Sequence, residues 1–338
     1  MTRENIELSY VGRGETRIQG IPIAAPKLGE VVVRNKYTLI SAGTEKANLL
    51  AYNNTNGYFP MNVGYSGVGE IVEINGNEKG KIKIGDRVFV AYGGHKRYST
   101  ISNRNIFKIP NGVNLEDAVF TKLASYPLLG LRRTRMEMGE TVAIAGLGIL
   151  GLLGIQLAKI GGARTVIAVG HRNLHLEKAI ECGADYAYCS EDKDLIDKIK
   201  EKSCFMGNNG VDVVIDTTGN EDELILAMEY AGKRGRISVT GCNRDTNKPI
   251  DIYKYIHRKG LSIIGGHELV RMQNASCAGN WSKEKDYMVL MEYMRKKQLR
   301  PSIIRSGIYP AKEAESIYKD LVDDKKDFPI GVVLDWDI

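Results

Sequence analysis

Cysteine is scarce in this sequence, and it is missing where it would carry most meaning. Five of the 338 residues are cysteines (Cys182, Cys189, Cys204, Cys242 and Cys277), and none precedes position 182. The count is odd and no C-x-x-C pair occurs, which argues against a disulfide framework and against a zinc ribbon. No run of about 18 apolar residues exists, so no membrane-spanning helix is expected. The start, Met1-Thr2-Arg3-Glu4-Asn5-Ile6-Glu7, lacks the apolar stretch of a signal peptide, and the expected location is cytoplasmic. Repeats and low-complexity segments are missing as well. Charge of one sign is not concentrated either: 47 Lys and Arg stand among 41 Asp and Glu, a net +6. Runs such as Arg132-Arg133-Thr134-Arg135 therefore read as solvated surface, and no nucleic-acid partner is expected. The small positive excess suits a phosphorylated cofactor or an anionic substrate.

What is present is ordinary globular material, 43% hydrophobic and 26% charged, long enough for about two domains. The most informative stretch is Ala145-Gly146-Leu147-Gly148-Ile149-Leu150-Gly151. It follows an apolar strand pattern, Thr141-Val142-Ala143-Ile144, and opens an apolar helical one from Leu152 to Ile160. A G-x-G-x-x-G has meaning only in that setting. The first glycine allows a tight turn, and the second lets backbone approach a pyrophosphate. The third lets helix and strand pack closely, with the helix N-terminus facing the phosphates. Gly146, Gly148, Ile149, Leu150 and Gly151 are thus candidate cofactor contacts.

The first hundred residues read as β-rich, with strand patterns at 30–40, 68–74 and 87–91 punctuated by Gly and Asn. From about Leu115 helix and strand alternate, with strands expected at 141–145, 165–169, 211–216, 235–240 and 261–265. Such alternation predicts a parallel, doubly wound sheet. A helix over 284–298 and a strand over 330–334 follow. The expected domains are 1–118, 119–282 and a return to the first over 283–338, with the ligand in a cleft between lobes at the carboxyl ends of the parallel strands.

Gly64 with Gly67-Val68-Gly69-Glu70-Ile71-Val72, Gly85-Asp86-Arg87-Val88, the nucleotide motif, Val211 to Gly219 and Gly232-Lys233-Arg234-Gly235-Arg236-Ile237 occur in the order seen in the medium-chain dehydrogenase/reductase superfamily. The chain resembles that superfamily, the alcohol dehydrogenase-like proteins, over nearly its full length. The resemblance implies an α/β protein with a β-rich, GroES-like catalytic domain and a Rossmann domain. It adds Thr217, Thr218, Gly241 and Cys242 to the cofactor contacts. It also implies a homodimer, paired through an apolar edge strand such as Gly260-Leu261-Ser262-Ile263-Ile264-Gly265.

The departures from the family pattern are as telling. Zinc-dependent members carry a cysteine where this chain has Ala42 and a histidine where it has Tyr65. Their third ligand region, usually Glu-Pro-Leu, reads Thr121-Lys122-Leu123 here. Three protein ligands from Cys, His, Asp or Glu are needed for a catalytic zinc, so the expected protein is metal-free. His95, the first lobe's lone histidine, reads as a loop or surface residue, and Lys122 as an exposed helix lysine. Leu39 to Glu45 and Ala118 to Leu123 resemble a zinc-lacking branch that includes bacteriochlorophyllide dehydrogenases and two-part sugar oxidoreductases.

Without zinc, another group must stabilise charge on the substrate oxygen. Thr44 occupies the family's proton-passing hydroxyl position, Tyr65 the place of the lost histidine, and Glu45 the acidic position behind it. These are the candidate catalytic residues, although Tyr65 would equally serve as filler and Glu45 as a structural hydrogen-bond acceptor. NAD-binding chains place an acid after the second strand of the nucleotide fold to hold the ribose; here the sequence is Gly170-His171-Arg172. Gly170 removes the repelling carboxylate and Arg172 can make two parallel bonds to a 2′-phosphate, so the expected cofactor is NADP(H). The expected function is zinc-independent hydride transfer between NADP(H) and an alcohol or carbonyl of a small molecule, in the class of sugar or polyol derivatives. Two other readings share the residues: reduction of an enone or quinone C=C bond, and dinucleotide binding without turnover. The stretches 48–63 and 267–281 are expected on the substrate side.

Overall fold

A computed structural model describes residues 4–76, 82–205, 207, 209–244, 248–271, 281–323 and 328–337. The chain forms two units, one from Met1–Lys122, Tyr287–Lys296 and Arg305–Ile338, the other from Leu123–Asp286 and Lys297–Ile304.

The first unit begins with β1 (Glu4–Gly12) and β2 (Glu15–Pro22), an antiparallel pair that turns at Gly14, where φ is +77°. Then come β3 (Glu30–Leu39), α1 (Ala42–Leu49), β4 (Met61–Asn62), β5 (Ser66–Asn75), β6 (Arg87–Ala91), β7 (Tyr98–Ser102), β8 (Ile106–Lys108) and the short α2 (Leu115–Ala118). β3 pairs antiparallel with both β5 and β7, placing Val33 opposite Ile71 and Val31 opposite Ile101. Those four residues join Val88 and Val90 of β6 in one buried cluster. Each such side chain contributes roughly 1.5–3 kcal/mol when fully buried.

The second unit contains α3 (Thr121–Arg133) from Leu123 onward, followed by β9 (Thr141–Ala145), α4 (Ile149–Ile160), β10 (Thr165–Gly170), α5 (Asn173–Glu181), β11 (Tyr186–Cys189), α6 (Leu195–Ser203), β12 (Val211–Asp216), α7 (Glu221–Tyr230), β13 (Ala231–Val239) and β14 (Ser262–Gly265). All its strand pairings are parallel, and the order is β11-β10-β9-β12-β13-β14. That is the doubly wound order 3-2-1-4-5-6, with the switch between β9 and β12. β14, the strand expected to pair across a dimer, is the edge of this sheet.

The chain then returns through α8 (Lys283–Arg295), β15 (Gly307–Pro310), α9 (Ala314–Val322) and β16 (Val332–Asp335), the last pairing antiparallel with β3. α8 stops short of the expected 298, and Lys297 has left-handed backbone (φ +57°) just beyond it. α4 starts at Ile149 rather than Leu152, because Gly148 is already its N-cap. Among the described residues no helix is long and apolar enough to cross a membrane, and Cys182, Cys189, Cys204 and Cys242 are free thiols. Cys277 lies outside the described residues.

Two expectations about exposure need correction. Arg132 is half-buried and Thr134 buried, its hydroxyl bonded to the carbonyls of Gly130 and Leu131, so only Arg133 and Arg135 of that basic run are solvated. The guanidinium of Arg132 stacks 3.9 Å from the Trp281 ring and lies 3.0 Å from the Asp286 carboxylate.

Candidate functional site

In the second unit, the sequence-predicted cofactor residues follow four adjacent parallel strands at their carboxyl ends. The glycine turn follows β9, Gly170 to Arg172 follow β10, Thr217 and Thr218 follow β12, and Gly241 and Cys242 follow β13. Each glycine of the turn has a physical reason. Gly146 has φ +85°, and a Cβ there would sit 2.9 Å from Thr217 Oγ1. At Gly151 a Cβ would fall on the Gly146 carbonyl oxygen. At Gly148 a Cβ would meet nothing within 4 Å. The second glycine therefore faces open space at the N-terminus of α4, whose backbone N–H groups suit a pyrophosphate. Ile149 and Leu150 are half-buried beside it.

Thr217 donates its hydroxyl to the carbonyls of Ala145 (3.0 Å) and Gly146 (2.9 Å), locking the turn to the next strand. Thr218 is held by Asp216, which accepts from its N–H at 2.9 Å and its hydroxyl at 2.6 Å. Burial pushes the Asp216 carboxyl up, against the lowering effect of those two bonds. Gly241 packs on the backbone of Thr217 and Thr218, where a Cβ would stand 2.9 Å from the Thr218 nitrogen. Cys242 is exposed.

At the end of β10, a Cβ on Gly170 would come within 2.8 Å of the Leu147 side chain, so the turn itself leaves no room for a larger residue. His171 is exposed, and Arg172, the N-cap residue of α5, is half-buried. Burial holds the His175 imidazole below its ordinary range, and the positive charge of Arg172 and of His171 adds to that effect.

In the first unit, β3 runs straight into α1, and Glu45 falls on the buried side of that helix, 1% exposed. Its carboxylate accepts from Ser41 N–H (3.0 Å), His95 Nε2 (3.2 Å) and the Tyr318 hydroxyl. Burial and the charge of Glu45 hold the Tyr318 phenol well above its usual range, so it remains a donor. His95 is 1% exposed, not on the surface. Its Nδ1 meets Thr38 Oγ1 at 2.7 Å, and the same hydroxyl oxygen accepts from the Trp336 indole N–H at 2.8 Å. The Glu45 carboxylate is the acceptor of the two, so Nε2 is the donor in that contact. Gly64 is required beside this ring: its φ is +93°, and a Cβ would stand 2.6 Å from the imidazole. Glu45, with three donors, is a structural hub.

Tyr65 donates its hydroxyl to Ser41 Oγ, tying the phenol to the residue whose N–H binds Glu45. Thr44 is half-buried on the helix turn between them. A cleft of about 340 Å³ opens here, lined by Glu45, Asn48, Asn62, Tyr65, Tyr92 and Lys96 among others. Asn48 and Asn62 fall in the stretch 48–63 that was expected on the substrate side. The other such stretch, 267–281, lies outside the described residues over 272–280.

The family pattern implies zinc at this end of the chain, but the donors do not fit it. Ala42 has no ligating atom, the Tyr65 phenol donates to Ser41, and the buried Thr121 hydroxyl donates to the Ala118 carbonyl at 2.7 Å. Among the described residues no three of His, Cys, Asp and Glu come together.

Sequence reasoning passed over Tyr92 and misplaced Lys122. Lys122 is fully buried, and its ammonium donates to the Tyr92 hydroxyl at 2.8 Å. The one local signal was a lysine in an otherwise apolar helix start, Phe120 to Ala124 apart from Thr121.

Comparison with known proteins bears on both units. Residues 150–275 match the family described as zinc-binding dehydrogenase. That segment lies within the second unit and includes none of Ala42, Tyr65 or Thr121. Sorbitol dehydrogenase of Bacillus subtilis is 25% identical over 74% of this chain and 78% of its own length. D-guloside 3-dehydrogenase of Escherichia coli is 28% identical, over 58% of this chain and 56% of its own length. Among solved structures, a short chain alcohol dehydrogenase from Escherichia coli CFT073 complexed with NADH superposes with a TM-score of 0.83 at 20% identity, covering 98% of this chain and 100% of that one.

Proposed function

We propose that this chain is a medium-chain, alcohol dehydrogenase-like protein, a zinc-independent, NADP(H)-dependent oxidoreductase acting on an alcohol or carbonyl of a sugar or polyol derivative, a reading supported by its fold and by its similarity to polyol and sugar dehydrogenases. The observation that carries the reading is the set of cofactor residues brought to one edge of a parallel sheet around an open glycine turn.

Bound nicotinamide supplies the hydride donor or acceptor. The chain's own residues supply the rest. The turn Gly146 to Gly151 and the N-terminus of α4 bind the pyrophosphate, with Thr217 holding the turn in place. Gly170 keeps carboxylate away from the adenosine ribose, and Arg172, with His171 beside it, suits a 2′-phosphate. Thr44 and Tyr65 present hydroxyls to the substrate oxygen. Ser41 aims Tyr65, and Glu45 fixes Ser41.

Arg172→Ala should weaken NADPH binding about tenfold to a hundredfold, the worth of one charge-assisted contact of roughly 1.5–3 kcal/mol. NADH binding should change far less. Titrating the fluorescence of both reduced cofactors decides it, and equal losses would remove Arg172 from phosphate recognition. Elemental analysis of the purified protein should find no stoichiometric zinc, and chelators should leave turnover intact. One tightly bound zinc per chain would overturn the metal-free reading. Incubation with NADPH and panels of aldehydes, ketosugars and enones tests the activity itself: turnover of carbonyls supports the proposal, and turnover of enones alone replaces it.

A further inference from the structure

Lys122 is the second residue of α3 and is 0% exposed. A lysine is almost never so deeply buried unless its charge is paired. One partner at its ammonium is a phenol, Tyr92 Oη at 2.8 Å. The same ammonium lies 4.6 Å from the centre of the Tyr92 ring and 5.8 Å from that of Tyr287 on α8. Both rings add a favourable cation–π attraction.

Tyr92 is unusual in its own right. It follows β6 with φ +65°, a left-handed conformation that a bulky side chain adopts only under constraint. Its N–H donates to the Tyr65 carbonyl at 3.0 Å, which holds the strained backbone against the preceding strand. Despite contacts with a fully buried lysine it is 48% exposed, and it lines the same cleft as Tyr65, with ring centres 6.5 Å apart. The phenol thus links an internal cation to the cleft.

We propose that Tyr92 is the acid–base group of the reaction and that Lys122 is the positioning residue that stabilises its phenolate. The inference rests on the oxidoreductase reading above and names the group that moves the proton. In the oxidative direction, the Tyr92 phenolate oxygen takes the proton of the substrate hydroxyl. The electron pair of the carbinol C–H bond leaves as hydride for the oxidised nicotinamide dinucleotide, while the O–H electron pair becomes the second C–O bond of the carbonyl. The Tyr92 phenol then returns its proton to solvent. Reduction runs the same steps backwards, with Tyr92 as the acid. A phenolate beside an ammonium is favoured over one beside a carboxylate, and the carboxylate nearest this cleft, Glu45, is occupied by Ser41, His95 and Tyr318. Among the described residues, the charged and titratable groups near Tyr92 include Lys122 from α3 and Tyr287 from α8. Tyr65, Glu45 and Lys96 face it from the cleft walls.

The test uses the full-length protein with three substitutions, Tyr92→Phe, Lys122→Met and Lys122→Arg. The first readout needs no substrate. Ultraviolet titration of tyrosinate, wild type minus Tyr92→Phe, isolates one phenol among 17. Repeated in the Lys122→Met background, the same difference should appear at higher pH, and in the Lys122→Arg background it should return towards the wild-type position. An unmoved difference band overturns the couple whatever the substrate proves to be. The second readout is kinetic, with sorbitol and a panel of sugar alcohols and ketoses. Tyr92→Phe should lower kcat by about 10²–10³-fold with KM and NADPH affinity within a few-fold, the scale of a lost general acid–base. Lys122→Met should shift the rising limb of the oxidative pH profile upward, and Lys122→Arg should restore part of it. A limb that moves with Tyr65→Phe instead assigns the proton to that residue and overturns the proposal. Binding of NADPH without turnover on any substrate by the wild type would sink the oxidoreductase reading, while the titration still decides the Tyr92–Lys122 pair.

Discussion

Replacing Asp286 by alanine should cost about 3–5 kcal/mol of stability, the usual loss when one side of a buried ion pair is removed. Asp286 is fully buried within the second unit. Its carboxylate receives Arg271 on one oxygen and lies 3.0 Å from Arg132 on the other. Burial pushes this carboxyl above its ordinary range while Arg271 and Arg132 pull it down, so the anion depends on its two cations. Arg271 is itself buried and donates to the Ser125 carbonyl at 2.7 Å, tying α3 to the start of α8. Alanine would take this carboxylate from both guanidinium groups, leaving Arg271 with Glu268 at 3.3 Å and Arg132 stacked on Trp281. Asn at the same position keeps an acceptor for Arg271 and should lose clearly less. Urea unfolding of both variants measures the difference. A loss under about 1 kcal/mol for Asp286→Ala, the scale of an exposed pair, would mean that the carboxylate does not anchor these arginines.

Tyr65→Phe should lower kcat by about 10²–10³-fold, the effect of losing one donor to a developing oxyanion. The reason is geometric as well as electronic. The phenol stands beside Ser41, whose backbone N–H is held at 3.0 Å by the buried Glu45, and its one proton turns from Ser41 Oγ to the substrate oxygen as charge develops. Phenylalanine keeps the ring packing and removes only the hydroxyl, so cofactor affinity should hardly change. Thr44→Ala should act in the same direction, and the double variant should lose less than the sum, since both hydroxyls serve one charge. Steady-state kinetics on a true substrate settles this. Near wild-type kcat in Tyr65→Phe would make the phenol a filler of the place that zinc ligands take in related enzymes, and the burden of charge stabilisation would pass to Tyr92 and Lys122.

Much of the fold was legible because its signals are local. β9, α4 and β10 follow one another around a glycine run whose spacing already states what each glycine is for. The three demands (a left-handed turn at Gly146, open approach at Gly148, close packing at Gly151) are met by neighbours within a few residues or on the adjoining strand. The replacements Ala42, Tyr65 and Thr121 were legible for the same reason, since a side chain without a suitable donor atom is such in any fold.

The interior polar groups were not legible. By polarity alone, His95 and Lys122 belong at the surface, and a lone histidine or lysine in sequence carries no sign of its partners. His95 is buried because Thr38, 57 residues away, and Glu45, 50 residues away, meet both its ring nitrogens. Lys122 is buried because β6 ends in a strained turn that brings Tyr92 to its ammonium, and α8 adds Tyr287. Asp286 owes its place to Arg132, more than a hundred residues earlier.

The sequence by itself determined the two kinds of sheet, the glycine turn after β9 and the lack of a usual zinc donor atom at Ala42, Tyr65 and Thr121, because periodicity, glycine spacing and donor chemistry are properties of short segments. Which polar side chains are driven inside, and which phenol stands next to a buried ammonium, only the tertiary structure decided. Burying a charge is costly unless a partner arrives with it, and here the partners come from elements far apart in the chain.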